Sequence, residues 1–165
     1  MTRENYSIEQ ELRKWLEGAE RVVIAGIGNP IRCDDFVGVK IVQDLKEKVT
    51  DRVMLIECET VPEAYLQQIT EFEPTHVLLI DAAILALRSG ESRLIEPTRL
   101  TDFSAFSTHM LPLRLFCEYI NASTKAKISL LLVEPEKTDF GEEMTSSVRT
   151  AVKSIVAVLV RIFSQ

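Results

Sequence analysis

Cysteine is scarce in this 165-residue chain: Cys33, Cys58 and Cys117 are odd in number, widely spaced and form no C-x-x-C pair. That usage excludes a disulfide framework and a zinc ribbon, and it leads us to expect a reduced, cytoplasmic protein. No run of lysine or arginine occurs, and the formal net charge of -6 argues against a surface built to neutralise nucleic-acid phosphates. The N-terminal stretch "MTRENYSIEQELRKW" is polar and amphipathic, unlike a secretory signal. The most apolar stretch, "IVAVLVRIF", is short and broken by Arg161, so no membrane insertion is expected. Repeats, low-complexity tracts and long Gly/Ser linkers are missing as well. So are the H-E-x-x-H, G-x-S-x-G and Walker patterns.

What is present is an alternation of strand-like and helix-like segments. Ser7 followed by Gln10 reads as a capping box ahead of Ile8, Leu12, Trp15 and Leu16, which share a helical face. "RVVIAGI", "DRVMLIEC", "THVLLIDAA" and "AKISLLLV" read as buried strands, with "SRLIEP" as a short extra one. Helical spacing recurs from Asp34 to Lys48, after Pro62, after Pro112, and from Gly141 to the end. Strands apolar on both faces belong in a mostly parallel sheet covered by helices. The expectation is one domain over residues 1–165, an α/β fold in the form of a three-layer α/β/α sandwich. Ligands in such sheets sit beyond the carboxyl ends of the strands, so the residues just after each strand matter most.

The loop "GIGNPIRCDDFVG", residues 26–38, follows the first of these strands. Gly26 and Gly28 match the start of a dinucleotide fingerprint, but its third glycine is replaced by Ile31. Asp34 and Asp35 also put negative charge where a pyrophosphate would lie. The glycines therefore read as a tight strand-to-helix turn. One of the two acids suffices to cap the following helix. Asp34 or Asp35 can take that role, which leaves the other for solvent or ligand.

Asp81 ends a continuous apolar strand, where a buried carboxylate needs either backbone donors or a ligand. His109, in "FSTHMLP", stands ahead of the Pro112 helix and within reach of the same sheet edge. His76, at the start of a strand, is expected at the opposite edge and on the surface. Asp35, Asp81 and His109 thus come from three segments toward one end of the sheet. Two carboxylates and an imidazole suit a borderline divalent metal, or equally an acid/base group around a polarised water.

With these residues in place, the chain resembles the hydrogenase maturation endopeptidases of the HycI/HybD type. The resemblance is carried by "GIGNPIRCDDFVG", "VPEAYLQQITEFEPTHVLLIDAA", "RSGESRLIEP" and "STHMLPL". It implies a phosphorylase/hydrolase-like α/β/α fold. It also implies removal of the C-terminal extension from the precursor of a NiFe-hydrogenase large subunit after nickel insertion. The substrate-bound nickel would be recognised by Asp35, Asp81 and His109, which are both the catalytic and the metal-contacting residues of this reading, and Asp34 would be left as the helix cap. Nickel would arrive with the substrate, with no permanently bound cofactor, and a monomer would dock transiently on the precursor. The likeness is closest to the type acting on membrane-bound or formate-linked hydrogenases.

Nickel would serve either as a Lewis acid or only as a licence that positions the scissile peptide near an acid-activated water. Two rival functions are open to the same residues: a non-proteolytic, metal-dependent binding module or chaperone on the same fold, and an acid/base hydrolase or binding enzyme for a small molecule. The chain departs from the family pattern at Phe36, where a glycine usually follows the acidic pair. It departs again at Glu57, Cys58 and Glu59, which replace D-G-G and bring polar groups toward the site. Ile84 and Leu85 form an apolar stretch suited to docking a partner. Cys33 is assigned a small structural role.

Overall fold

The computed structural model describes residues 3–102 and 110–164, with side chains described for residues 8–100 and 113–164. The elements run in the order α1 (Arg3–Trp15), β1 (Val22–Ile27), α2 (Val37–Leu45), β2 (Val53–Glu59), α3 (Leu66–Phe72), β3 (His76–Ala82), β4 (Ser92–Ile95), α4 (Met110–Ser123), β5 (Lys127–Val133) and α5 (Ser146–Phe163). The five strands form one sheet in the order β2-β1-β3-β5-β4. The first four in that order are parallel, and β4 lies antiparallel on β5, with Ser92 opposite Val133. The anticipated mostly parallel sheet and its short extra strand are both present.

Alternation along the strands divides the core into two layers. Val22, Ile24, Leu78, Ile80, Leu131 and Val133 pack against α1, α2 and α5. Their neighbours Val23, Ala25, Val77, Leu79, Leu130 and Leu132 pack against α3 and α4. β3 is buried at all seven positions because both faces are covered and both edges are paired. The result is the expected α/β/α sandwich.

Several local expectations are corrected. Ser7 falls inside α1, which begins at Arg3, so the helix reaches further toward the N-terminus than the capping pattern suggested. The segment anticipated as a helix from Asp34 begins with a 3₁₀ turn, Cys33–Phe36, and becomes α-helical only at Val37. Pro62 likewise opens a 3₁₀ turn before α3. The last helix starts at Ser146, because residues 134–145 are used in the loop that meets the opening loop.

His76 is not a surface residue. It is buried at the start of β3, at the amino edge of the sheet, with Trp15 packed edge-on against its ring at 5.1 Å between centroids. Its Nε2 lies 3.0 Å from the Trp15 carbonyl oxygen, and its Nδ1 lies 3.0 Å from the Thr75 hydroxyl. Burial holds its pKa below the ordinary histidine value, overcoming the opposing effect of the Trp15 carbonyl. A ring with both nitrogens engaged is a structural histidine.

Candidate active site

The carboxyl edge of the sheet is built from four loops, which follow β1, β2, β3 and β5. The first runs from Gly28 to Phe36 and bends on glycine. Gly28 has φ +154, and a Cβ there would lie 2.1 Å from the Asp35 carbonyl oxygen. Gly38, at the start of α2, lets that helix rest directly on the sheet: a Cβ would stand 2.0 Å from the carbonyl oxygen of Ile80. The residue preceding Asp81 is thereby placed against the helix that begins just after Asp35.

Asp35 belongs to the 3₁₀ turn and is half-buried. Its Oδ2 accepts the Asn29 N–H at 3.0 Å, so the carboxylate closes its own loop and is held in one orientation. Asn29 extends the same turn by accepting the Ile31 N–H at 3.1 Å through its side-chain oxygen. Asp81 is 1% exposed at the end of β3, opposite Leu132 of β5. Its Oδ1 accepts the N–H of Ala82 at 2.8 Å. β1 and β3 are parallel neighbours, with Gly26 opposite Ile80, so the loop that leads from β1 to Asp35 and the end of β3 that carries Asp81 leave the same edge of the sheet. His109 lies outside the described residues. Among the described residues, no three His, Cys, Asp or Glu side chains gather as a metal site.

Asp34 is not the helix cap. Neither the 3₁₀ turn nor α2 has a side-chain cap, and Asp34 points away from the helix start. It is fully buried and accepts four hydrogen bonds from across the edge. The N–H groups of Glu136 and Lys137 donate at 2.9 Å each, and Thr145 donates through its N–H at 2.8 Å and its hydroxyl at 2.7 Å. These bonds compensate the cost of burying a carboxylate. They also clasp the opening loop to residues 134–145. The clasp is extended by Cys33 N–H to the Gly141 carbonyl, Gly141 N–H to the Ile31 carbonyl, and Arg32 Nε to the Thr138 carbonyl.

Cys33 is buried in this clasp with φ 45, an uncommon conformation for a residue with a side chain. The open hollow beside it, about 490 Å³, is walled by Cys33, Lys137, Phe140, Met144 and Arg149. The burial of Cys33 between the two clasped loops fits the small structural role expected of it.

The "ECET" stretch reaches the edge through Glu59. Ile27 pairs with Glu59 after Gly26 pairs with Glu57, so a bulge skips Cys58. The Glu59 carbonyl then accepts the Gly28 N–H at 2.8 Å and anchors the opening loop. Glu57 instead points to α2, where it pairs with Lys46 and accepts from Gln43 at 2.7 Å; Lys46 chiefly holds its carboxyl below the usual range. Cys58 is buried, and desolvation pushes its thiol up to about 12, with Glu63 adding to the rise. A thiol so protonated is a poor nucleophile or ligand near neutral pH.

The sequence reading did not single out Glu134. It is buried immediately beyond β5, and its Oε2 accepts the Leu85 N–H at 2.6 Å. Its backbone pairs with Gly90 and Glu91, each at 2.8 Å. Glu134 thereby braces the loop after Asp81. Its signal was the one that marked Asp81, an acid at the end of an apolar strand, here "LLLVE".

Comparison with known proteins assigns this architecture. A sequence model of the hydrogenase maturation proteases (HycI) matches residues 39–162. A Methanocaldococcus jannaschii protein assigned to the hydrogenase maturation proteases is 32% identical over 155 residues, covering 87% of this chain and 91% of that protein. The hydrogenase 3 maturation protease of Escherichia coli K12 is 25% identical over 133 residues, covering 81% of this chain and 85% of that one. The crystal structure of a NiFe hydrogenase maturation protease, HycI, from Thermococcus kodakarensis superposes with a TM-score of 0.86 at 32% identity, over 94% of this chain and 99% of that one. The family match spans most of the chain, and the solved structure shares its fold nearly end to end; this chain belongs to the hydrogenase maturation protease family.

Proposed function

We propose that this chain is the endopeptidase that removes the C-terminal extension of a NiFe-hydrogenase large-subunit precursor once nickel has been inserted. Asp35, Asp81 and His109 recognise the nickel held by the substrate. The observation that carries this reading is the placement of Asp35, in the turn that follows β1, and Asp81, at the end of the neighbouring parallel strand β3, at the edge where sheets of this kind bind ligands. Each carboxylate has one oxygen oriented by a backbone N–H, from Asn29 and from Ala82. Fixed donors lose little freedom when a cation approaches, and the low-dielectric surroundings of Asp81 strengthen the attraction to a divalent ion.

Recognition of metal on the substrate makes processing conditional on insertion. The two carboxylates meet nickel that is already bound elsewhere, so they need only complete its coordination while the scissile peptide lies along the edge. His109 supplies the nitrogen donor of the mixed O/N set. The precursor is the only partner this function requires.

Substitution of these residues tests the site. Asp35→Asn and Asp81→Asn are expected to reduce processing of nickel-loaded precursor to about one-hundredth or less of the wild-type rate, with circular dichroism spectra unchanged. His109→Ala is expected to do the same. Normal processing by all three variants would remove the site assignment.

A further inference from the structure

Six large apolar side chains are well exposed among the described residues, and four of them occupy the edge that carries Asp35 and Asp81. Ile31 follows β1, Val61 follows β2, Ile84 follows β3 and Phe140 follows β5, so each parallel strand's carboxyl-end loop contributes one. Phe140 is 81% exposed although its loop is pinned by the Asp34 hydrogen bonds and by Gly141 pairing with Ile31. An aromatic ring held in solvent by an ordered loop costs hydration free energy without contributing to the core. The Arg32 guanidinium, 6.0 Å from the ring centroid, flanks it on the opening loop.

Acidic side chains outnumber basic ones around this patch. Glu59, Glu63, Glu136, Asp139, Glu142 and Glu143 are exposed on the same loops, against Arg88 as an exposed cation there and Lys137 as a half-buried one, with Arg149 exposed on α5 beside the hollow that Phe140 lines and Arg32 half-buried next to its ring. An acidic rim around apolar anchors is complementary to a chain that offers apolar side chains flanked by lysine or arginine, and it repels acidic ones. It also disfavours pairing of the edge with a second copy, which would oppose like charges.

We infer that Ile31, Val61, Ile84 and Phe140, ringed by these carboxylates, form the docking surface for a basic, apolar segment of the substrate protein. The inference rests on the proposed function for the identity of that protein. It goes beyond it in assigning affinity to residues that touch neither nickel nor the scissile bond. Apolar anchors in the centre would supply most of the affinity, while the acidic rim would set encounter rate and salt dependence.

The test measures binding of the full chain to nickel-loaded large-subunit precursor by fluorescence anisotropy, alongside its cleavage. Phe140→Ser combined with Ile84→Ser should weaken binding and raise KM by about tenfold or more, with kcat unchanged. Glu142→Lys with Glu143→Lys should weaken binding by several fold, and binding by the wild type should decline as salt rises from about 0.05 to 0.5 M. Unchanged affinity in both double variants, or affinity indifferent to salt, overturns the proposal. So does concentration-dependent dimerisation in sedimentation that the Phe140/Ile84 variant abolishes. If the wild type binds the precursor through this surface without cleaving it, the docking inference stands and the endopeptidase reading fails. If it cleaves while the variants bind and cleave normally, the reverse holds.

Discussion

Asp34 and Thr145, 111 positions apart, are joined twice, with the threonine N–H and hydroxyl both donating to the buried carboxylate. A residue beside the proposed metal contact is thus a cross-tie between the first and last loops of the edge. Asp34→Asn removes the charge from four hydrogen bonds and sets an amide N–H₂ against backbone donors. We expect a loss of about 3 kcal/mol in unfolding free energy. Thr145→Val, which removes one of the four, should cost about 1 kcal/mol. Urea titrations should show both as shifts in midpoint at constant slope.

How far the sequence carries depends on the range of the interactions. The strand runs around Ile24, Leu79 and Leu131 declare a doubly covered sheet because burial on both faces leaves no polar alternation to read. Asp81 stands out for the same reason, as the carboxylate that interrupts such a run. Asp34 could not be read, because its donors at Glu136, Lys137 and Thr145 are brought to it only by the tertiary fold. His76 was misplaced because its burial depends on Trp15, sixty-one positions earlier, folding over the strand's start. Local patterns pointed to Asp34, Asp35 and Asp81 at the edge and missed Glu134. They did not show which one is consumed in holding it together.

The buried His76 gives stability a pH dependence of definite sign. Desolvation lowers its folded pKa below the ordinary 6.5, so the unfolded chain binds the proton more tightly. Its contribution is fully present above the unfolded value. It is lost progressively as pH falls from about 6.5 through the folded value. Unfolding free energy measured between about pH 5 and 7 should therefore rise with pH, and His76→Gln should flatten that slope. A slope unaffected by the substitution would assign the dependence to other groups.

The glycines of the opening loop make separable predictions. Gly38→Ala drives a Cβ into the Ile80 and Ile27 carbonyls, at 2.0 and 2.6 Å, and should cost about 3 kcal/mol by lifting α2 off the sheet. Gly28→Ala meets the Asp35 carbonyl oxygen at 2.1 Å in a backbone conformation that disfavours side chains. It should displace Asp35 and depress processing by more than the loss of folded protein accounts for. Thermal melts and processing rates on the same samples distinguish the two effects.

On the proposed function, cleavage is conditional on nickel carried by the substrate. Purified protein should be mixed with nickel-loaded large-subunit precursor and, separately, with its nickel-free form, and truncation followed by mass spectrometry. Loss of the C-terminal extension from the loaded precursor alone is expected. Equal truncation of both forms would contradict it.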